Sequence, residues 1–570
     1  MTRDRATSPS GGSVSPSASA SSSGPSKGPA TGRNVADLVS EAAQRGPAHP
    51  ALIEPVGGDE LSWGQLDTAV DAEAARLIGC GLRPGQRVVL RMPTSSAFCV
   101  SLFGVFRAGG VAVPVGPSVP ARELDRVLDS AGVGLLVAAR DDVTADEAAS
   151  AIGATRLDPP AVPGAGPAKG PSKGPSNGPV TAPWPPIGGE DVAVLAFTSG
   201  TSGSPRGVML SHRALLANLE QYAALRLAPM TAADRVLLAL PLFHAYGLGP
   251  GLLQVANTGA TAVLLERFDA GEALDVTYRY RVTTVVGVPP MYRAWLLLDP
   301  DRLAEGLRTV RLFVSGGAPL EPGVLAGMRA VTGLDVFEGY GLTETGPVLT
   351  SALAGGSAKP GSVGRPLPGV PSRGVDPVEL RLVDSGGRSL PGDGGESDPE
   401  SDPEADPEAD PEWDREDTGV VAVRGPNLFS GYWPDGAGGP AELPGLGPGW
   451  FRTGDVGYLD ADGDLHLVDR ADDLIIVSGF NVYPREVEDV LVEHPGVRAA
   501  AVVGVPHPIS GEVVRAVLVP VEGMQPTAAE IVEHCAARLA RFKVPTEVTL
   551  AASLPYLPTG KLARRMLRSM

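Results

Sequence analysis

The chain is predicted to be an α/β protein, with a large N-terminal α/β lobe of several subdomains and a small α+β domain after it. Short Val/Leu/Ile runs of the length of buried strands recur between residues 87 and 314. Amphipathic helical patterns separate several of these runs, which is typical of layers built on largely parallel sheets. Near residue 470 the pattern changes to shorter, mixed elements. The length of 570 residues leaves room for two or three domains.

The apolar runs give the strands of the large lobe, and period-3.6 patterns give its helices. Predicted strands are 87–90, 111–115, 135–138, 192–197, 235–240, 261–265, 284–288 and 311–314. Predicted helices include 63–78, 121–130 and 212–227, the last beginning after Ser211 as its N-cap.

The C-terminal part alternates strand and helix over shorter distances. We predict strands at 473–477 and 498–505, and helices at 484–494 and 528–541. A domain boundary close to Arg470 then divides the folded chain into residues 34–469 and 470–570.

Three segments have compositions that cannot form a core. Residues 1–33 are rich in Ser, Gly, Pro and Ala and are predicted to be a disordered tail. Residues 158–190 contain Gly-Pro-Ala-Lys and Gly-Pro-Ser-Lys near-repeats, and residues 393–417 contain tandem Asp-Pro-Glu units. Proline every four residues opposes both helix and sheet, so we predict two flexible inserts, most simply solvated surface loops.

Composition excludes several classes of protein. The net charge is −19, and thirteen acids against one base in 393–417 account for most of it. An acidic chain of this kind predicts no nucleic-acid partner. No apolar run reaches the roughly 18 residues of a membrane span, so we expect no integral membrane segment. Three widely spaced cysteines and the absence of a hydrophobic leader predict a cytoplasmic protein with reduced thiols.

The most informative stretch runs from Phe197 to Gly207: Phe-Thr-Ser-Gly-Thr-Ser-Gly-Ser-Pro-Arg-Gly. It follows a buried strand and precedes the helix at 212–227, so a strand–loop–helix unit is predicted. Glycines let backbone N–H groups approach a phosphate, hydroxyls donate hydrogen bonds, and Arg206 supplies a cation. Such a loop is by itself more often an ordinary connection, and it lacks the closing Gly-Lys-[Ser/Thr] of a Walker loop.

Two further clusters suit a nucleotide. From Phe337 to Thr345 the chain has Phe-Glu-Gly-Tyr-Gly-Leu-Thr-Glu-Thr, in which glycines flank Tyr340 so that its ring can lie against a planar base. Glu344 offers a carboxylate that is useful near polyphosphate only through Mg²⁺. From Trp450 to Asp455 the chain has Trp-Phe-Arg-Thr-Gly-Asp, and a carboxylate such as Asp455 can accept hydrogen bonds from both ribose hydroxyls. Taken singly, these are also ordinary turns with surface acids.

Together and in this order, the motifs resemble those of the adenylate-forming superfamily, which includes acyl-CoA synthetases, luciferases and peptide-synthetase adenylation domains. The resemblance covers about residues 34–570 apart from the two inserts. It implies the superfamily fold, in which the small C-terminal domain is mobile. The nucleotide-binding residues it implies are Thr198, Ser199, Gly200, Thr201, Ser202, Gly203, Arg206, Gly207, Gly316, Gly317, Ala318, Tyr340, Gly341, Thr343, Asp455 and Arg470. Glu344 would hold Mg²⁺, and Thr201 is also counted among the catalytic residues.

The resemblance assigns the remaining roles to the C-terminal part and to one histidine. Asp472 would be the hinge, and Gly479 and Phe480 would lie on the thiol side in one orientation. Lys561, in Leu-Pro-Thr-Gly-Lys, would bridge the substrate carboxylate and the α-phosphate in the other. His244 would gate or position the acyl group, although a lone histidine among apolar residues is more often part of a core.

Two residues depart from the superfamily pattern. Arg206 stands where most relatives have lysine, and a guanidinium is a planar fork rather than a point charge. Asp469 stands in place of the usual glycine before Arg470, which would stiffen the hinge. Neither change removes a group that the reaction requires.

The predicted function is that of an acid–thiol ligase that uses ATP and Mg²⁺, with coenzyme A as co-substrate. It would convert a small-molecule carboxylic acid, a medium- or long-chain fatty acid, to an acyl-adenylate and then to acyl-CoA, releasing AMP and pyrophosphate. The start of the second cluster, Glu338-Gly339, resembles fatty-acyl members more than aryl ones. Two alternatives stay open: an adenylating enzyme that loads a carrier-protein thiol, and a nucleotide-binding regulator without turnover.

Overall fold

Two largely parallel sheets form the body of the large lobe, and two smaller sheets follow them along the chain. The computed structural model describes residues 32–162, 184–199, 205–384, 386–390, 418–470, 473, 475–477, 480–507, 511–539, 541–556 and 562–568. Most of insert 158–190 and all of insert 393–417 therefore lie outside the described residues, as does the tail up to residue 31.

The strands in chain order are β1 (Pro50–Glu54), β2 (Asp59–Ser62), β3 (Arg87–Arg91), β4 (Val111–Pro114), β5 (Leu135–Ala138), β6 (Thr155–Leu157), β7 (Val192–Ser199), β8 (Pro205–Ser211), β9 (Arg235–Leu238), β10 (Thr261–Leu264), β11 (Thr284–Gly287), β12 (Leu312–Ser315), β13 (Val336–Gly341), β14 (Val348–Ser351), β15 (Arg365–Pro366), β16 (Glu379–Val383), β17 (Gly419–Arg424), β18 (Ala441–Leu443), β19 (Gly447–Leu459), β20 (Leu465–Arg470), β21 (Ile475–Val477), β22 (Phe480–Val482), β23 (Val497–His507), β24 (Gly511–Pro520) and β25 (Glu547–Leu550).

The helices are α1 (Asp37–Arg45), α2 (Trp63–Gly79), α3 (Ser96–Arg107), α4 (Ala121–Ala131), α5 (Val143–Ile152), α6 (His212–Ala223), α7 (Gln254–Thr258), α8 (Ala270–Arg279), α9 (Pro289–Trp295), α10 (Pro300–Leu307), α11 (Pro322–Thr332), α12 (Ala352–Gly355), α13 (Pro484–Val492), α14 (Ala528–Ala536) and α15 (Arg564–Arg568). A π-helical turn covers Gly247–Leu253, and 3₁₀ turns cover Thr343–Thr345, Pro371–Arg373 and Arg541–Lys543.

The predicted α/β class, with a large first domain and a small second one, is confirmed. The nine-stranded sheet has the order β15-β14-β13-β12-β11-β9-β10-β1-β2, and its central strands are parallel. The six-stranded sheet has the order β6-β5-β3-β4-β7-β8 and is parallel except at the β7–β8 edge. An antiparallel sheet of β16–β20 follows, and β21–β25 form the sheet of the small domain.

Helix α3 shows why the two large sheets stack. It is buried on nearly every face and packs against β1 of one sheet and β3 and β4 of the other. A helix that is apolar all round is stable only in such a central layer. Phe98, Phe103 and Phe106 fill that layer and are fully buried.

The prediction of a strand–loop–helix unit around the phosphate loop is wrong in one respect. A second strand, β8, lies between the loop and α6 and pairs antiparallel with β7, so the loop is the tip of a hairpin. The prediction that Ser211 caps the helix is correct, since its side chain accepts a hydrogen bond from the backbone N–H of Ala214. The helix ends at Ala223, four residues earlier than predicted.

Candidate active site

The phosphate-loop hairpin carries the first group of predicted residues. Thr198 pairs with Arg206, and Ser199 with Pro205, so the hairpin closes toward its tip. Gly207 is closely packed, since a Cβ there would lie 2.8 Å from a terminal methyl of Leu195 and 3.2 Å from the Trp433 Cβ. The tip itself, Gly200, Thr201, Ser202 and Gly203, lies outside the described residues, so the phosphate contacts assigned to it stay predictions.

The carboxyl end of β13 places Tyr340 beside Asp455 of β19. The Tyr340 hydroxyl donates a hydrogen bond to the Asp455 carboxylate over 2.5 Å. Asp455 is 8% exposed, and its backbone pairs with Arg470 on β20. The structure thus brings together the predicted base-stacking ring and ribose acid across 115 residues of sequence.

The turn after Tyr340 depends on a glycine. A Cβ at Gly341 would lie 1.8 Å from the carbonyl oxygen of Pro347, which no other residue could tolerate. This close approach forms the 3₁₀ turn Thr343–Thr345 and puts Thr343 and Glu344 on the same edge of the sheet as Tyr340. On the neighbouring strand β12, Gly316 is buried, whereas Gly317 and Ala318 are exposed at its carboxyl end.

Glu344 lies in the 3₁₀ turn and is held by hydrogen bonds from two residues. Its Oε1 accepts a hydrogen bond from the Tyr432 hydroxyl over 2.8 Å, and its backbone oxygen accepts one from Phe429. Within the described part of the chain no lysine or arginine forms an ion pair with this half-buried carboxylate. An uncompensated acid next to a phosphate loop fits an Mg²⁺ ligand, since Mg²⁺ is commonly held by one or two carboxylates and phosphate oxygens.

His244 is not a core residue. It is exposed, and its Nδ1 accepts a hydrogen bond from the backbone N–H of Tyr246. The half-buried ring of Tyr246 packs on Gly316, where a Cβ would lie 2.9 Å from it. His244 and Tyr246 therefore stand near Gly316 on the predicted adenine edge, and the role of His244 toward the acyl group stays a prediction.

The small domain contributes residues whose placement the structure settles only in part. Phe480 begins β22, which pairs with β21, but Asp472, Gly479 and Lys561 lie outside the described residues. Their roles as hinge, thiol-side residue and carboxylate-bridging lysine stay predictions.

The residues that follow Lys561 are firmly held. Leu562 forms a β-bridge with Tyr556, across the five residues 557–561. Arg564 makes a bidentate ion pair with Glu488 of α13 at 2.7 and 3.0 Å, and it lies 3.5 Å from Asp473. The chain that follows residue 561 is therefore attached to α13 of the small domain.

An acidic cluster outside the cleft does not need a metal. Asp460, Asp462 and Asp464 have carboxylate oxygens close enough to share an ion, but the Lys359 ammonium contacts all three at 2.9, 2.6 and 2.6 Å. The lysine supplies the compensating charge and joins the antiparallel sheet to the segment after α12.

His212 is buried at the start of α6, and its protonation is expected to destabilise the fold in acid. It is fully buried, its Nδ1 accepts a hydrogen bond from Val35, and burial lowers its pKa to about 4. Because the unfolded state binds the proton more tightly, stability is lost as pH falls below 6.5 and the loss is complete near pH 4, for a total of about 3 kcal/mol. His212→Asn keeps a hydrogen-bond acceptor near the position of Nδ1 but cannot be protonated in this range. Between pH 7 and pH 4 we expect its unfolding free energy, measured in urea, to fall by about 3 kcal/mol less than that of the wild type. Parallel losses in the two proteins would contradict this account.

Ionisation of Glu338 should destabilise the fold as pH rises, the opposite direction to that of His212. Glu338 is buried within β13 and accepts a hydrogen bond from the Leu320 N–H, and burial raises its pKa to about 7. The stabilising neutral form is fully present below about 4.5 and is lost as pH rises through 7. Glu338→Gln should therefore raise the urea midpoint at pH 8, by up to about 3 kcal/mol of unfolding free energy, and leave it nearly unchanged at pH 5. An equal shift at both pH values would sink this prediction.

Tyr432 contacts two of the predicted site residues, although the sequence did not single it out. It contacts Glu344 through its hydroxyl, and the Arg206 guanidinium lies 3.6 Å from its ring centroid. Its partners are 88 and 226 residues away, so no local pattern points to it. The only signal was an aromatic pair, Tyr432-Trp433, after the acidic insert.

Comparison with known proteins gives matches along most of the chain. The family model described as AMP-binding enzyme matches residues 39–433, and AMP-binding enzyme C-terminal domain matches residues 486–561. The chain is 36% identical to a feruloyl-CoA synthase from Amycolatopsis sp. over 90% of its own length and 94% of the relative's. It is 32% identical to a long-chain-fatty-acid–CoA ligase from Yersinia pestis, over 94% of each chain.

Among solved structures, the chain resembles ATP-bound MatB from Rhodopseudomonas palustris with a TM-score of 0.78 and 31% identity, covering 94% of this chain and 99% of that one. Among the described residues, no helix is both long enough and apolar enough to cross a bilayer.

Proposed function

Because the chain belongs to the AMP-binding enzyme family, we propose that it activates a carboxylic acid with ATP and passes the acyl group to coenzyme A. It is an acid–CoA ligase of the AMP-forming type. The observation that carries the proposal is the convergence of Tyr340, Asp455 and Glu344 beside the β7–β8 hairpin. These residues offer a surface for a base, a carboxylate for a ribose and an acid for the metal of a triphosphate.

The first half-reaction must bring two anions together. The substrate carboxylate attacks the α-phosphorus, forming a C–O–P linkage and expelling pyrophosphate. No general base is needed, since the nucleophile is already ionised. Mg²⁺ held at Glu344 would supply charge compensation for the triphosphate. The hairpin tip and Arg206 would bind the departing phosphates, and Lys561 would offset the charge that develops near the α-phosphate.

The second half-reaction needs a different set of groups. The thiol of coenzyme A attacks the acyl carbonyl, a C–S bond forms, and AMP leaves. Lys561 is no longer required, and Gly479 and Phe480 would then face the thiol. A rotation of the small domain about Asp472 would exchange the two sets and limit the access of water to the adenylate.

We propose a compact aromatic carboxylic acid as the first candidate for the substrate. The half-buried ring of Tyr246 lies against Gly316, and a flat ring at the proposed acyl entrance would suit a planar acid better than a flexible chain. The relative at 36% identity is a feruloyl-CoA synthase. A medium- or long-chain fatty acid is the second candidate. It is favoured by Glu338-Gly339 in the Phe337–Thr345 cluster and by the relative at 32% identity, a long-chain-fatty-acid–CoA ligase.

The test is to incubate the purified full-length chain with ATP, Mg²⁺, coenzyme A and a panel of hydroxycinnamic, benzoic and C6–C18 fatty acids. We expect AMP and acyl-CoA in equal amounts with at least one acid. Formation of ADP would overturn the proposal, and so would a silent panel. A thioester formed on an added carrier protein but not on coenzyme A would point to the carrier-loading alternative. Tyr246→Ala should shift preference toward longer chains if the ring limits the pocket.

A further inference from the structure

The side chains of Arg206, Tyr432 and Glu344 form one continuous contact, called here the Arg206–Tyr432–Glu344 stack. The Arg206 guanidinium carbon lies 3.6 Å from the Tyr432 ring centroid, and the Tyr432 hydroxyl donates to Glu344 over 2.8 Å. The stack joins the cation beside the phosphate-loop tip to the acid proposed to hold Mg²⁺.

The backbone around Tyr432 keeps it between these two partners. The Trp433 N–H donates to the Gly207 oxygen at 2.8 Å, and Tyr432 bridges to Val208 on β8. On the other side, Phe429 donates to the backbone oxygen of Glu344 at 2.9 Å. The segment is thus fixed to both the hairpin and the 3₁₀ turn, which gives the ring little freedom to leave its position.

Close packing completes the arrangement. A Cβ at Gly438 would lie 3.0 Å from the Tyr432 ring and 3.4 Å from an Arg206 terminal nitrogen. The glycine therefore gives room for both the ring and the guanidinium.

The chemistry of the stack explains why this chain has arginine at position 206. A guanidinium is planar and stacks on an aromatic face, whereas an ammonium on a flexible stem is more strongly hydrated and cannot match that contact over its area. Stacking fixes the cation before the nucleotide arrives, so less side-chain freedom is lost on binding. The hydroxyl of the same ring orients one oxygen of Glu344, leaving the other to face a metal.

We propose that Tyr432 is a positioning residue that presents Arg206 and Glu344 as one unit to the magnesium–triphosphate complex. The proposal rests on the proposed function and adds to it a residue to which no role had been assigned. It also assigns the departure at Arg206 a structural cause: the arginine is matched to Tyr432.

The test is a double-mutant cycle on binding, which needs neither acid nor coenzyme A. The affinity of the full chain for the non-hydrolysable analogue AMPCPP is measured by calorimetry at several Mg²⁺ concentrations. Tyr432→Phe keeps the ring and should raise the Mg²⁺ concentration for half-saturation about threefold to tenfold. Arg206→Lys should weaken binding about threefold to tenfold in the wild-type background, but less than twofold in the Tyr432→Leu background.

Control variants distinguish the loss of the Tyr432 contacts from misfolding and from the loss of any stacked arginine on the surface. Arg308 lies 5.0 Å from the ring of the exposed Tyr278, so Arg308→Lys and Tyr278→Leu form a matched pair that should leave binding unchanged. The melting temperature without nucleotide identifies any variant that fails to fold. If Tyr432→Leu fails to fold, the Mg²⁺ dependence of Tyr432→Phe still decides the question.

The outcomes discriminate between the inference and the proposed function. Additive effects of Arg206→Lys and Tyr432→Leu, or an unchanged Mg²⁺ dependence in Tyr432→Phe, would overturn the inference while wild-type AMP formation stands. A wild type that forms no AMP with any acid but shows the coupling would overturn only the proposed function. Absence of AMPCPP binding in the wild type would overturn both.

Discussion

Lys561→Ala should slow acyl-adenylate formation by roughly 10²–10³-fold and leave thioester formation from supplied acyl-adenylate nearly unchanged. One preorganised donor aimed at charge that develops in the transition state has about this effect on rate. The second half-reaction has no such charge on the α-phosphate, so loss of the lysine should not slow it. The two rates are measured separately, by pyrophosphate release and by acyl-CoA formation from synthetic acyl-AMP.

The matched control is Lys561→Arg, which keeps the charge and changes its shape. We expect it to recover part of the adenylation rate, because a guanidinium can reach an oxygen but not with the geometry of an ammonium. Equal loss of both half-reactions in Lys561→Ala would mean that the lysine stabilises the domain or binds the nucleotide in every step, against the role proposed for it.

Asp455→Ala should raise the KM for ATP by roughly 10²-fold or more. Hydrogen bonds to a charged group contribute about 1.5–3 kcal/mol each, and in its proposed role Asp455 would accept two from a ribose. The carboxylate is 8% exposed and already oriented by Tyr340, so its loss cannot be compensated by a neighbour moving in. Calorimetric titration with ATP should show the same weakening.

Tyr340→Phe is the control for this prediction. It removes the hydroxyl that donates to Asp455 over 2.5 Å but keeps the ring for the base. Binding should weaken by less than about tenfold, because only the orientation of the carboxylate is lost. A larger effect from Tyr340→Phe than from Asp455→Ala would contradict the assignment of the ribose to Asp455. 2′-Deoxy-ATP gives a further check, since Asp455→Ala should discriminate against it less than the wild type does.

Much of the fold could be predicted because local periodicity decides it. The buried runs at 135–138, 284–288 and 311–314 became β5, β11 and β12 within one residue, since a parallel strand covered on both faces is a short apolar run. Strand β8 was missed because Pro205-Arg206-Gly207 has the composition of a turn, and only pairing with β7 makes it extended. The antiparallel sheet of β16–β20 was missed because the acidic insert separates β16 from β17.

The residues of the candidate site likewise divide into those that the sequence could predict and one that it could not. Tyr340, Glu344 and Asp455 stand in compact motifs, so their chemistry was visible before their positions were. Tyr432 was invisible because its importance comes from contacts with Arg206 and Glu344 that only the folded chain creates. Residues that act through others carry no local signature, whereas those that touch a nucleotide require a specific local backbone.

The bridge between Leu562 and Tyr556 fixes the chain immediately after Lys561, the lysine proposed to bridge the substrate carboxylate and the α-phosphate. Consecutive α-carbons are about 3.8 Å apart, so Lys561 begins its reach from a point set by Leu562. Arg564 in turn ties this point to Glu488 and Asp473. In the proposed cycle Lys561 would therefore enter and leave the cleft together with the small domain, and the rotation of that domain through solvent would contribute to the turnover time.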